Sequence, residues 1–405
     1  MKQYALKIGL IGFLYALLVS TVVFIGAFRF NLYTDRAYTD PKATVTPVHR
    51  LDTLKYWHQM MRWDGGWYER IARAGYEGQE TAFFPLYPMA TRAVSRIQNN
   101  FASAAGLISF LSFLGTLYFF IRLAERLFEK NTKTHESMAS YNTADAASMH
   151  AAHAFSTRAL FFFLFFPTAF YLLAPYTESL FLCFLLGSLY YAREKRVWLA
   201  GLLGFGAALT RVNGFFLVIL LGYEMYTQWR AHETGAIWQK IMVAVSPLAG
   251  LATYMIYLKV RFGSFVQFAV SQARWDRNGS LNPFDIVNRL VVYFKEFGQL
   301  PSVFNAEFVS RMFDITFFVF IVAMGIWMWR TWRKDFALWT LSLVILPLLS
   351  GTLLSMPRYV FPSPFVAIFL ARQIKNESVR LSILACFMAL WTLLLVLFSN
   401  GYWVG

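Results

Sequence analysis

Long apolar runs separated by short basic clusters set the pattern of this chain. The first extends from Ala5 to Phe28, enough for the roughly 20 residues that a membrane-crossing helix needs. Further apolar stretches fall near 104–121, 159–173, 177–192, 197–210, 214–229, 239–258, 312–330, 336–355, 359–371 and 381–399. The pattern predicts an all-α polytopic membrane protein of about eleven spans, with residues 1–405 forming one domain. Several middle runs are short or abut one another, so tilted or broken helices are expected there. The first run follows Lys2 and precedes Arg29-Phe-Asn31 without a small-residue cleavage site, and it reads as a retained signal anchor.

Composition agrees with the pattern. The chain is 58% hydrophobic and only 15% charged, with a mean hydropathy of +0.46, more apolar surface than a soluble globule can cover. The placement of cations then orients it. With the N-terminus in the cytoplasm, the basic loops 122–133, 193–196, 230–240, 330–334 and 372–380 all fall inside, as the positive-inside rule requires. Segments 29–103 and 259–311 and a short turn near 355–358 then face outwards, from what is expected to be the plasma membrane. The two large outer segments are basic as well. Attraction to anionic lipid headgroups explains that, and so does a site for a phosphorylated lipid; charge alone does not choose between them.

Other signals are quiet. Cys183 and Cys386 lie in apolar runs and read as small core residues. No nucleotide-binding glycine loop, paired-aspartate metal motif, zinc spacing or nucleophile elbow is found, and nothing calls for a nucleic-acid partner. Residues 132–150 form the most polar inner stretch, expected to be a loop with a short helix, and His135 and His150 are not read as ligands.

The first outer segment carries the candidate chemistry. Residues 62–88 read RWDGGWYERIARAGYEGQETAFFPLYP. On a helix, Asp64, Trp67, Tyr68, Ile71 and Gly75 share one face while Arg70 and Arg73 lie elsewhere. This describes a short amphipathic helix in the interface, with arginines reaching headgroups. A carboxylate among rings at a membrane surface is also a candidate general base. Downstream, Pro85 and Pro88 should hold 82–88 stiff and extended, with Phe83, Phe84 and Tyr87 in fixed directions as a re-entrant corner or a wall for a sugar or lipid tail.

A second cluster, FFPTAFYLLAPYTES over 165–179, places Glu178 in the first turn of a returning helix, where a negative charge caps the dipole or serves a function. Arg211 and Asn213 interrupt an apolar run at the next outer turn, Arg274 and Arg277 sit in the second large outer segment, and Arg358 follows in MPRYVFP. Each alone is readable as a snorkelling arginine. Together they place one embedded acid, several arginines and rigid aromatic walls on one side of the membrane. That set suits transfer of a sugar from a polyprenyl-phosphate carrier: the acid takes a proton from an acceptor hydroxyl, and arginines stabilise the departing phosphate.

The residues Arg62-Trp-Asp-Gly-Gly-Trp-Tyr, Ile71-Ala, Gly75-Tyr76 and Phe83-Phe-Pro-Leu-Tyr-Pro88 resemble the signature of the PIG-V family, whose eukaryotic members add the second mannose to the glycosylphosphatidylinositol precursor. Phe166-Pro-Thr-Ala-Phe-Tyr171 with Tyr176-Thr-Glu-Ser179, then Leu209-Thr-Arg211 with Asn213-Gly214, then Pro357-Arg-Tyr-Val360 look like three further motifs in order. The resemblance implies a GT-C bundle with short interfacial helices in the first outer loop, a polyprenyl-phosphate mannose donor, a glycolipid, glycan or protein acceptor, and inversion at the anomeric carbon. It makes Asp64 the base candidate, Arg62, Arg211 and Arg358 candidates for phosphate contacts, and Glu178 a candidate for substrate positioning. Trp63, Trp67, Tyr68, Phe84, Tyr87, Asn213 and Tyr359 complete the expected substrate-binding set. No cofactor is expected, and a lipid-phosphate leaving group does not by itself demand a metal.

Where Trp67 stands, eukaryotic members often carry His, so that role is absent or moved to His49 or His58. Asp35, Asp40 and Asp52 are rivals for the base. Two other enzyme or carrier classes share the overall plan. A flippase for lipid-linked sugars would show internal repeats and mid-membrane charges, and a glycan polymerase or ligase would dispense with Asp64. A membrane scaffold leaves the clustered outer charges without a purpose, and such groups are costly to keep.

Overall fold

The computed structural model describes residues 2–29, 60–132, 143–233, 235–275, 277, 279–280, 282–299, 306–361 and 363–404. Asp35, Asp40, Asp52, His49, His58 and His135 lie outside them. Among the described residues every regular element is helical. Five stretches are long and apolar enough to cross a membrane: Tyr4–Gly26, Phe101–Phe128, Ile237–Phe262, Glu307–Thr331 and Glu377–Ser399. The first shows what such a helix does. It buries Ile8, Tyr15, Val19 and Val23 against its neighbours while Leu6, Leu10, Phe13, Leu14 and Leu17 face outwards, exposed. An outer surface this apolar is satisfied by lipid and not by water. The chain is a membrane protein.

The other six expected runs lie on shorter helices, and prolines explain where they break. The run at 336–355 divides into Lys334–Ser342 and Ile345–Ser350, because the Pro347 ring excludes a helical carbonyl four residues earlier. Pro364 likewise separates Met356–Val360 from Pro364–Gln373, and Pro167 follows the end of Thr143–Leu164. Glu178–Arg193, Val197–Thr210 and Leu217–Arg230 remain whole, at 16, 14 and 14 residues. The polar stretch expected as a loop with a short helix contributes 143–150 to the start of Thr143–Leu164, where His150 is exposed.

Close packing joins these pieces. A Cβ on Gly250 would lie 2.3 Å from the Phe205 carbonyl oxygen, so Ile237–Phe262 approaches Val197–Thr210 at backbone distance because position 250 has no side chain. Elsewhere a polar relay is buried among rings: Trp391 Nε1 donates to Tyr15 Oη at 3.0 Å, and Tyr15 donates to the Leu164 carbonyl at 2.9 Å. Three helices distant in sequence are registered by it, with both buried donors satisfied.

The bundle has two chemically distinct ends. At one, Arg126 pairs with Glu194, Arg193 with Glu224 at 3.1 Å, and Lys195 with Glu233 at 3.3 Å. Glu178–Arg193 carries Arg193 to that end and Glu178 to the other. Val197–Thr210 runs back, bringing Arg211 beside Glu178.

Candidate functional site

The first acid enters on the helix Asp64–Ala74, which buries Gly65, Tyr68, Ile71 and Ala72; of the face expected from spacing, Tyr68 and Ile71 are buried, whereas Asp64, Trp67 and Gly75 are half-buried. Its outward arginines are ion-paired within the loop, Arg70 with Glu77 and Glu80 and Arg73 with Glu69. The expected extended corner at 82–88 is shorter than the two prolines imply. Phe83 is extended, and Pro85, already in the helical region, caps the helix Leu86–Gln98. Pro88 fits inside its first turn because the amide it lacks would have had no helical partner there.

Glu178 lies in the first turn of Glu178–Arg193 but caps nothing. It is 0% exposed, and its Oε1 accepts from Arg358 Nε at 3.1 Å, Arg358 Nη2 at 3.0 Å and Arg211 Nη1 at 2.6 Å. Arg358 Nη1 reaches on to Asp64 Oδ2 at 2.5 Å. Asp64 is therefore not a lone acid among rings. It ends a buried chain of two carboxylates and two guanidiniums that runs Asp64, Arg358, Glu178, Arg211. Arg358 is also held between Tyr171 and Tyr176, 5.1 and 4.8 Å from the ring centres, so it does not snorkel to water.

Local backbone explains how Arg211 arrives. The helix Val197–Thr210 stops at Arg211, which is extended, and a tight 3-10 turn, Val212–Phe216, follows. A Cβ on Gly214 would lie 2.5 Å from the Ala207 carbonyl oxygen, so only glycine lets the turn fold back this tightly. Asn213 is carried inwards, 1% exposed, with neither amide atom hydrogen-bonded among the described residues.

These groups surround an open cleft of about 110 Å³. Of the expected site residues, Asp64, Tyr68, Phe84, Arg211, Asn213, Arg358 and Tyr359 line it. Five others do not. Glu178 stands behind, holding the two arginines. Tyr87 is core: 0% exposed, its hydroxyl is engaged by the Ala105 carbonyl and Ser109 Oγ, both at 2.9 Å. Trp67 stacks behind the lining residue Phe83, 5.8 Å away, and meets Trp275 edge-on. Trp63 packs edge-on against Trp403. Arg62 lies off the cleft; its carbonyl accepts from Tyr176 Oη at 2.5 Å, and burial holds its guanidinium pKa below the ordinary value.

Burial, reinforced by the Asp64 charge, raises the Tyr68 phenol well above its ordinary value. Tyr68 is therefore a neutral hydrogen-bonding wall and not a second base.

The cleft also contains residues absent from the expected site: Thr177, Gln272, Trp275, Arg277, Ser355 and Trp403. The basic stretch 274–277 is visible in the sequence, but nothing there says that it folds over the first loop. Arg274 Nη1 does so, donating to Gln79 Oε1 at 2.6 Å. Trp403, near the end of the numbering, carries no sequence signal at all. Among the described residues no three His, Cys, Asp or Glu side chains gather into a set that could hold a metal ion.

The family model described as Mannosyltransferase (PIG-V) matches residues 3–257. Those residues contain Asp64, Glu178, Arg211 and Asn213, while Arg277, Arg358 and Tyr359 lie beyond them. No match was found among curated proteins.

Proposed function

Since the chain belongs to the PIG-V mannosyltransferase family and is accordingly a membrane mannosyltransferase, we propose that it transfers mannose from a polyprenyl-phosphate carrier to a glycolipid, glycan or protein hydroxyl, with inversion. One observation carries this reading: a single cleft presents Asp64 together with Arg211, Arg277 and Arg358 between aromatic walls. Rings suit both the CH faces of a sugar and isoprenoid chains, and the unpartnered amide of Asn213 offers both a donor and an acceptor to a sugar hydroxyl.

The step balances at these residues. Asp64 Oδ2 is bonded to Arg358, while Oδ1 accepts no hydrogen bond from the described residues. Oδ1 takes the proton of the acceptor hydroxyl as its oxygen attacks the anomeric carbon. The bond from that carbon to the phosphate oxygen breaks, and its electron pair leaves with polyprenyl phosphate. Negative charge thus disappears from Asp64 while it grows on the phosphate. Arg358, released from one anion, stabilises the other, an interaction stronger in the transition state than before it.

The site is extracytoplasmic on this reading, because the basic inner loops are at the opposite end of Glu178–Arg193. At 16 residues that helix is about 24 Å long, less than the roughly 30 Å of a hydrocarbon core. The buried acids therefore sit in a recess below the membrane surface, roofed by the first outer loop. We place the chain among GT-C bundles of about eleven helical segments, in the plasma membrane with its N-terminus cytoplasmic.

The test is transfer in membranes from labelled polyprenyl-phosphate mannose by wild type and Asp64→Asn. Wild type should form product, and the variant should lose roughly 10²–10⁴-fold in kcat while still binding the carrier. Near-normal turnover by the variant would remove Asp64 as the base, and no product from wild type would remove the donor.

A further inference from the structure

The arginines first expected to meet the phosphate are mostly engaged elsewhere. Arg211 and Arg358 share Glu178, Arg358 also holds Asp64, and Arg62 is off the cleft. Arg277 differs from all three. Among the described residues no carboxylate lies within ion-pairing distance of it. Its Nη1 donates to Tyr359 Oη at 2.9 Å, and its Nη2 donates to the Leu354 carbonyl at 3.1 Å and Ser355 Oγ at 3.0 Å. Nε is buried and has no hydrogen-bond partner among the described residues. Asp314, behind the same loop, is near enough to feel the Arg277 charge but not to pair with it, and its oxygens are taken by the Met356 amide at 3.0 Å and the Tyr293 hydroxyl at 3.4 Å.

A guanidinium has five N–H donors, and three of those on Arg277 go to neutral oxygens. Those bonds fix its orientation without neutralising its charge. A fixed cation with no described carboxylate at ion-pairing distance, in a partly desolvated cleft, favours an anion and gives little to a neutral group. Among the described lining residues and their ion-pair partners, three arginines face two carboxylates, Asp64 and Glu178, and the cation left over suits the single charge of a sugar phosphodiester.

We infer that Arg277 is the phosphate-recognising residue of the cleft, and that the second outer segment thereby selects a lipid-phosphate donor while the first supplies the base. This rests on the donor reading above. Arg211 and Arg358 then act mainly on the charge that develops as the anomeric bond breaks, whereas Arg277 binds the phosphate already present in the ground state.

The experiment measures binding of a polyprenyl phosphate and of the uncharged polyprenol of equal length to the purified full chain in lipid nanodiscs, for wild type, Arg277→Gln and Arg277→Lys. Wild type should prefer the phosphate by about tenfold or more, the Gln variant by less than about twofold, and the Lys variant should keep a preference near that of wild type. In transfer, Arg277→Gln should raise the donor KM with the acceptor KM little changed. A folded Gln variant that still prefers the phosphate as wild type does overturns the assignment. If the Gln variant does not fold, Arg277→Met decides in its place: a lost preference supports the assignment and a retained one overturns it. Wild type without any preference would instead sink the lipid-phosphate donor, and this inference with it.

Discussion

Replacing Glu178 by Gln tests whether the buried charge chain is balanced as a unit. The substitution keeps volume and one carbonyl oxygen but removes the negative charge. Oε1 now receives three guanidinium N–H contacts at 2.6–3.1 Å, while Oε2 is buried with no partner among the described residues. In the variant the amide NH2 would occupy the Oε2 position as an unsatisfied donor, or the Oε1 position facing two cations. Removing one member of a buried ion pair costs about 3–5 kcal/mol. Arg211 and Arg358 retain 12% and 6% side-chain exposure, so some water relieves them and the lower figure, about 3 kcal/mol, is expected. Reversible unfolding in mixed micelles measures it. Adding Arg211→Met should recover about 1–2 kcal/mol relative to the sum of the single changes, because the cation left unpaired is then gone. Arg358, freed from Glu178, should bind Asp64 more tightly, so kcat should fall while the donor KM stays level or drops. A loss below about 1 kcal/mol, or strict additivity in the double variant, would refute the balanced-chain argument.

Two further changes separate packing from chemistry. Tyr87→Phe should cost about 1–2 kcal/mol of stability, through its lost bonds to the Ala105 carbonyl and Ser109, with transfer kinetics intact; a raised donor KM would return Tyr87 to the binding set. Gly250→Ala should cost at least about 2 kcal/mol, seen as a lower melting temperature in detergent, because its Cβ would meet the Phe205 carbonyl oxygen at 2.3 Å; wild-type melting would show that the two helices are not in backbone contact.

Hydropathy and charge placement along the chain were enough to assign the helical membrane class, the short helix at Asp64–Ala74 with Tyr68 and Ile71 turned inwards, and most of the charged positions that meet in the cleft. These are local properties. A run of apolar side chains is insoluble wherever it occurs, and helical spacing puts Tyr68 and Ile71 on one face without help from the rest of the chain. What an isolated acid or arginine does is a property of its partner. Asp64 and Arg358 are 294 positions apart, and Glu178 and Arg358 are 180 apart. Nothing near Asp64 in the sequence shows that a guanidinium occupies one of its oxygens, and nothing near Arg277 shows that its charge is left over. Tyr87 made the opposite error possible, since a tyrosine beside two prolines looks like part of a wall until the fold directs its hydroxyl into the core. Residue chemistry was legible in one dimension, whereas neutralisation and burial depend on distances that only the packed bundle sets.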